Sequence, residues 1–539
     1  LAAVLLGANL GHRYLWQDEA ATAVLANRMF RYGKPLAYDG RNLITMDVTT
    51  VSDEPQLGAA TSSAEAGVNY FVERGDFKAD TTWIGQPWGQ FVAAGMSLKL
   101  LGQSTLAARL PFALAGLTTA VLLYLFARSA VDDWLVGAVA AALLLGNVYW
   151  IEHMRQCRYY ALSSLCLLLV VILFWRWQHG ARWGALAFVI VGWCFFQSDY
   201  GSFFPVSGVL ATWAMVSNIK RLRQTLLTFA ALGAGVAPFV VYYELWGRGQ
   251  ASSVHCGELA VQLLALLNSY QFPLLLAAAS IAYFVLMHDE SKRPERELLL
   301  LCLTLAAAQL AWLAFVAPYP FYRYMVNLTP LSVLAMSITL VGICRRWVHG
   351  SEWRVAVVCC VALLLLLSTR AAALPGQWGL QPFSSRGELS KNGGAGLIRD
   401  EWELLWSDVR GTGPDPNRAA VEYLRGRVHP DDEILVTYED IPLMFYLPNR
   451  IRGGVGMFRV NDGPAPRFVV FRKYVPFLPF QQAIFRTALG GRDWLTADTE
   501  VIALPTGNNP DPTENHVAML RAMTRDGRTD TTKILERVE

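Results

Sequence analysis

The sequence predicts an all-α polytopic membrane bundle of about eleven spans, followed by a small α/β soluble domain at its C-terminal end. Three observations carry this reading. Hydrophobic residues fill 54% of the 539 positions, more than the roughly 45–50% of a soluble domain, and the mean hydropathy is +0.31. These residues fall into separate blocks of about membrane-crossing length, in which a helix satisfies its own backbone hydrogen bonds within hydrocarbon. Basic residues recur in every second connection between blocks, as the positive-inside rule requires.

In chain order, the run Leu1 to Leu10 reads as a truncated first span. After Trp16, the stretch Asp18-Glu19-Ala20-Ala21-Thr22 reads as a helix start, with Gly33 and Pro35 ending that helix. Free backbone N–H groups and the positive helix end stabilise an anion there, so Asp18 is a candidate base and equally an ordinary N-cap. Asp39, Asp47, Asp53 and Glu54 follow in a loop that suits either an acceptor or metal, or simple solvation. Gln86 to Leu101 reads as an interfacial helix, with Trp88, Phe91 and Val92 on the apolar face and Gln90 and Lys99 in water. Trp83 and Trp88 fit interface anchors or sugar-stacking rings.

Clean apolar blocks then run Leu110–Ala127, Trp134–Ile151, Ala161–Trp175, Trp183–Gln197, Ser202–Ser217 and Thr225–Tyr243. They continue as Leu259–Met287, Leu298–Ala317, Tyr324–Cys344 and Val355–Thr369. None of them holds Asp, Glu, Lys or Arg, which speaks against ion-coupled transport. Arg176 with Arg182, Lys220-Arg221-Arg223, Lys292-Arg293 with Arg296, and Arg345-Arg346 with Arg354 mark the inner connections. The outer side then holds 15–106, Glu152–Arg158, Asp199–Gly201, Glu244–Glu258, Pro318–Arg323 and all that follows Thr369.

The chain accordingly divides into a membrane domain, 1–373, whose external loop 15–106 carries juxtamembrane helices, and an outer α/β domain, 374–539. In the latter Asn417–Arg425 reads as a helix, Glu433–Thr437 and Arg467–Phe471 as strands, and Pro505–Pro512 as a turn-rich loop. The eight cysteines show neither disulfide nor metal spacing and serve as small packing residues. A net charge of +3 gives no reason to expect a nucleic-acid partner; membrane lipids are the expected surroundings.

The outer-side motifs form a recognisable set. Trp16-Gln17-Asp18-Glu19-Ala20, Gln86-Pro87 with Leu101-Gly102-Gln103-Ser104 and Ala108-Arg109-Leu110-Pro111, Arg155-Gln156-Cys157-Arg158-Tyr159-Tyr160, and Arg323-Tyr324 with Pro330 follow one another in order over roughly 1–340. Together they resemble the GT-C superfamily of polyprenyl-phosphate-sugar glycosyltransferases, in particular its aminoarabinose transferase (ArnT) and protein O-mannosyltransferase branch. Where the aminoarabinose branch tends to carry an acidic residue and a double proline, this chain has Trp83-Ile84-Gly85-Gln86-Pro87.

The resemblance implies an inverting transfer of a sugar from a polyprenyl phosphate to an acceptor hydroxyl of a protein, glycan or lipid, at the extracytoplasmic (periplasmic) face of the inner membrane. It makes Asp18 the base, with Glu19 orienting a loop or a metal. Arg158, Arg323 and Arg155 become the phosphate ligands, because arginine stays charged and grips oxyanions bidentately. Tyr159 and Tyr324 add hydroxyl donors, and Asp199 and Tyr200 are candidates for lining the same cavity. A divalent metal is the one cofactor it admits, with His255, beside Cys256 and Glu258, as candidate ligand. The competing readings are a flippase for a lipid-linked sugar and a non-catalytic scaffold subunit of the same fold.

Overall fold

The computed structural model describes residues 1–45, 64–73, 75, 77–181, 183–217, 219–247, 256–270, 272–286, 293–316, 322–367, 401–412, 415–454, 458–459, 466–471, 499–507 and 531–537. They form two compact units. One is helical and contains 1–8 and the described residues of 112–409; the other contains the described residues of 9–111 and those from 410 on. The described residues of 15–106, expected as an external loop of the membrane domain, thus share a unit with those from 410 on.

In the helical unit and the segment leading into it, Thr105–Val131, Tyr160–Gln178, Leu222–Tyr242, Arg293–Val316 and Val326–Trp347 are long and apolar enough to cross a membrane. Gly184–Ser198, Leu259–Asn268 and Leu274–Leu286 are shorter apolar helices. Two blocks that look continuous in sequence are broken. Trp134–Ile151 becomes Trp134–Leu145 and Val148–Met154, which meet at 71°. The Asn147 carboxamide oxygen accepts the Trp150 N–H at 2.9 Å and so starts the second helix anew. Leu259–Met287 becomes Cys256–Tyr270 and Leu274–Leu286. Pro273 brings no N–H to continue the first helix, and Asn268 Oδ1 accepts the Leu274 N–H at 2.9 Å.

The central element is Thr329–Trp347, opened by Pro330 in its first turn, with nearly every residue buried. Trp134–Leu145, Leu274–Leu286, Arg293–Val316 and Ser351–Leu367 all pack around it. At its C-terminal end Arg345 pairs with Glu295 at 3.0 Å and with Asp133, joining the ends of three elements by charge.

In the second unit, helix Gln17–Tyr32 starts one residue before Asp18, with Trp16 as its N-cap, and stops at Gly33, whose φ of +79° only glycine adopts freely. It packs on Gly89–Leu101 and on Asp440–Tyr446. Within Gly89–Leu101 the expected wet face differs. Gln90 is fully buried, because its carboxamide joins Thr22 at 3.2 Å and Gln86 at 3.0 Å, while Val92 is the more exposed residue.

The C-terminal part builds one mixed sheet of β1 (Glu433–Val436), β2 (Arg450–Gly453), β3 (Phe468–Phe471), β4 (Thr499–Gly507) and β5 (Thr531–Arg537). The strand order is β2-β1-β3-β5-β4. β1 runs parallel to β2 and β3, and β5 antiparallel to β3 and β4. Helix Pro416–Arg425 contributes Ala420, Val421 and Leu424 to a core with Ile434, Val436, Ile451, Phe468 and Val470. β4 extends through 505–507, so the first part of the expected turn-rich loop is strand; 508–512 lie outside the described residues.

Candidate active site

The candidate residues divide between the units. Asp18, Glu19, Trp83 and Trp88 lie in the second unit, and Arg155, Arg158, Tyr159, Asp199, Tyr200, Arg323 and Tyr324 in the helical one. His255 lies outside the described residues.

Asp18 occupies the first turn of Gln17–Tyr32 and is partly exposed. Its neighbour Glu19 faces inward, is 0% exposed, and holds Arg109 through both oxygens, Nε to Oε1 at 2.8 Å and a terminal nitrogen to Oε2 at 2.5 Å. The remaining Arg109 donors reach the carbonyls of Leu10, Arg13 and Tyr14 at 3.0–3.3 Å. Glu19 and Arg109 therefore fix the course of the chain into the Asp18 turn, the pair being bidentate and dry. Arg109, a member of a quoted motif, had no role assigned from sequence.

Trp83 is 3% exposed and belongs to the packing of its unit, pairing across a bridge with Phe77; it neither anchors at an interface nor offers a ring to a sugar. Trp88 caps Gly89–Leu101 and donates its indole N–H to the Trp83 carbonyl at 3.0 Å.

In the helical unit, Arg158 and Tyr159 precede helix Tyr160–Gln178, and Arg323 and Tyr324 precede Thr329–Trp347. Arg158 is 5% exposed and lies 5.8 Å from the centre of the Tyr159 ring and 6.0 Å from that of Tyr160. An arginine that merely snorkels keeps its head in water, which Arg158 does not. Arg323 lies 5.7 Å from the Tyr324 ring centre. Burial pushes the Tyr159 phenol well above its ordinary range, with Tyr160, Asp199 and Tyr324 adding to the effect and Arg158 opposing it. The phenol consequently stays protonated and can donate a hydrogen bond. Arg158, Asp199 and Tyr324 are thus each within electrostatic reach of the Tyr159 phenol. Arg155 has a different surrounding. Its terminal nitrogens bond the carbonyls of Leu5 at 2.7 Å and Ala8 at 2.9 Å, closing the end of helix Ala2–Gly7.

Asp199 caps Tyr200–Ser217 by accepting the Ser202 N–H at 3.0 Å, and it also accepts the hydroxyls of Ser163 at 2.8 Å and Ser202 at 2.7 Å. Asn327 Nδ2 lies 2.9 Å from Ser163 Oγ, 2.8 Å from Ser202 Oγ and 3.2 Å from Asp199 Oδ2. Gln309 Nε2 reaches Ser202 Oγ at 2.7 Å and Asn327 Oδ1 at 3.1 Å. Burial raises the Asp199 carboxyl above its usual range, against the lowering effect of the Ser202 and Ser163 hydrogen bonds. Ser163 is in the turn after Arg158-Tyr159 and Asn327 in the turn after Arg323-Tyr324, so this network ties the two arginine turns together. Tyr200, one residue on, turns toward Phe196 and Tyr243.

Sequence reading missed Gln309, Asn327, Ser163 and Ser202. The available signal was a lone amide inside an apolar block, which faces a bundle interior and not lipid. Asn327→Leu should lower folding stability by about 1–3 kcal/mol, since it strips donors from a buried carboxylate and an acceptor from Gln309. A thermal midpoint equal to wild type in detergent would show that the network contributes nothing.

Among the described residues, no three His, Cys, Asp or Glu side chains come together at a spacing that could hold a metal ion. The candidate ligand His255 and the loop carboxylates Asp47, Asp53 and Glu54 lie outside the described residues, and no chemical step below is routed through a metal.

No protein-family profile matches the chain, and no curated protein matches it by sequence. Solved structures do. ArnT from Cupriavidus metallidurans bound to undecaprenyl phosphate is 14% identical with a TM-score of 0.52, covering 99% of this chain and 96% of the other. The same enzyme in the apo state is 13% identical, again with a TM-score of 0.52 over 99% and 96%. Along practically its whole length this chain is built like ArnT, and among its described residues five helices, or six with the bent pair, are long and apolar enough to cross a membrane, against the eleven spans expected.

Proposed function

We propose that this chain is a multi-pass membrane glycosyltransferase that moves a sugar from a polyprenyl-phosphate donor to an acceptor hydroxyl, with inversion, on the extracytoplasmic face. The observation that carries the reading is the likeness over 99% of the chain to an ArnT structure bound to undecaprenyl phosphate. The chain's own residues support it. Arg158 and Arg323, each beside tyrosine rings at the start of a helix, suit a phosphate whose charge grows as the sugar departs. In the helical unit an apolar groove of about 740 Å³, lined by residues such as Pro205, Val209, Trp213, Leu300, Ala308 and Trp312, suits an isoprenoid chain.

In this reading the acceptor oxygen attacks the anomeric carbon as the carbon–oxygen bond to phosphate breaks. The acceptor's proton passes to Asp18, the polyprenyl phosphate leaves with the bonding electrons, and Arg158 and Arg323 hold its oxygens. Tyr159 and Tyr324 offer further donors. Arg155, engaged with the Leu5 and Ala8 carbonyls, supports the fold nearby and is not a primary phosphate ligand.

The test is donor consumption by the purified protein in nanodiscs, using a panel of polyprenyl-phosphate sugars with and without a chelator. Release of polyprenyl phosphate from at least one donor is expected. A chain that consumes none of them, in the presence of protein, glycan and lipid acceptors, is not this enzyme. Loss of turnover on chelation would assign a divalent metal to the reaction.

A further inference from the structure

The helix start that bears Asp18 is assembled from parts of the chain far apart in sequence. Arg109 holds it on one side, through Glu19 and the carbonyls of Leu10, Arg13 and Tyr14. On the other side, among the described residues, it is held by residues of 415–446. Asp415 accepts the Tyr14 N–H at 2.7 Å, the Tyr446 hydroxyl accepts the Leu15 N–H at 2.9 Å, and Asn417 Nδ2 donates to the Leu15 carbonyl at 3.1 Å. The Tyr14 and Tyr446 rings stack at 4.0 Å.

Gln17, the residue before Asp18, makes the most directed of these attachments. Its Nε2 donates to Asp440 Oδ1 at 2.7 Å, and its Oε1 accepts the Ile441 N–H at 3.3 Å. Both side chains are out of water, Asp440 at 2% exposure, so the bond is stronger than it would be at a surface. Asp440 is itself held rigidly. Glu439 before it has φ +64°, a left-handed backbone that a non-glycine residue adopts only where its surroundings impose it, and Asn417 Nδ2 donates to the Glu439 carboxylate at 2.5 Å. Across from it lies Gly454, at φ +74°, where any side chain would collide with the Asp440 carboxylate.

Successive residues of an α-helix point about 100° apart. With Gln17 pinned to Asp440 and Glu19 pinned to Arg109, the direction left to Asp18 is set from both sides. We propose that Asp440, acting through Gln17, is a positioning residue for Asp18, and that the C-terminal segment thereby builds the catalytic carboxylate's seat. This rests on the reading of Asp18 as the base. A base must sit within hydrogen-bond reach of the proton it takes, and a misplacement of about 1 Å costs about a hundredfold in rate.

The experiment uses the full chain in nanodiscs and compares Gln17→Glu, Asp440→Asn and the double variant. Gln17→Glu sets two carboxylates against each other, and its kcat should fall about a hundredfold with the donor KM unchanged. Asp440→Asn leaves Gln17 only a weaker amide acceptor and should lower kcat several-fold, less than Gln17→Glu does, with the donor KM unchanged. In the double variant the amide introduced at 440 donates to the carboxylate introduced at 17, and kcat should recover toward wild type. Gln17→Glu with wild-type kcat, or a double variant no better than Gln17→Glu alone, overturns the proposal. Amide hydrogen exchange over residues 14–20 reads the positioning without turnover. Exchange there should quicken in Gln17→Glu and slow again in the double variant, and unchanged exchange overturns the proposal as well. A wild type that consumes no donor defeats the transferase reading instead, and the exchange result then stands by itself.

Discussion

Asp18→Asn should lower sugar transfer by about 10²–10⁴-fold, the contribution expected of a positioned general base. The substitution keeps the size and shape of the side chain at the start of Gln17–Tyr32. The Gln17–Asp440 bond and the Glu19–Arg109 pair do not involve the Asp18 carboxylate, so the turn itself should persist. Asparagine cannot accept the hydroxyl proton as the anomeric carbon is attacked. Under the proposed function Arg158 and Arg323, not Asp18, hold the donor phosphate, so the donor KM should stay near wild type while kcat falls. The measurement is initial-rate kinetics on the donor that the wild type consumes best, with the thermal midpoint of the variant as a check on folding. Full activity in a folded Asp18→Asn protein would remove Asp18 from the chemistry.

The largest stability effect is expected at Arg109. Arg109→Met leaves Glu19, 0% exposed, as a buried carboxylate without its guanidinium, and frees the carbonyls of Leu10, Arg13 and Tyr14. Removing one partner of a buried ion pair destabilises by about 3–5 kcal/mol, because the surviving charge has lost water and gained nothing. The double variant Arg109→Met with Glu19→Leu should regain much of this loss, since two apolar side chains can fill the space without a stranded charge. Thermal unfolding of the three proteins in one detergent checks both statements. A single variant as stable as wild type would mean that the pair is worth no more than a surface salt bridge.

Much of this protein follows from local sequence alone. The blocks at Leu110, Ala161, Thr225, Leu298 and Tyr324 correspond to helices long and apolar enough to cross a membrane, because hydropathy over about twenty residues is a local property judged against lipid. The helix after Trp16 ends at Gly33 because only glycine takes the left-handed turn easily. The Arg158-Tyr159 and Arg323-Tyr324 motifs stand at helix starts, where their order and neighbours made them visible.

Tertiary structure decided which polar groups meet. Gln90 reads as a wet residue by its type, yet Thr22 and Gln86 draw it into the interior. Asn147 and Asn268 look like tolerated polar residues in apolar blocks, yet each accepts a backbone N–H in the first turn of the helix that follows the break in its block. Trp83 reads as an interface anchor until the loop around it closes. Gln17 finds Asp440 across 423 residues of sequence, and Asn327 finds Ser163 across 164. Periodicity reports which face of an element avoids water. It carries no information about which distant donor will meet a buried acceptor, and that pairing is settled only when packed helices and strands bring the two groups within hydrogen-bond distance.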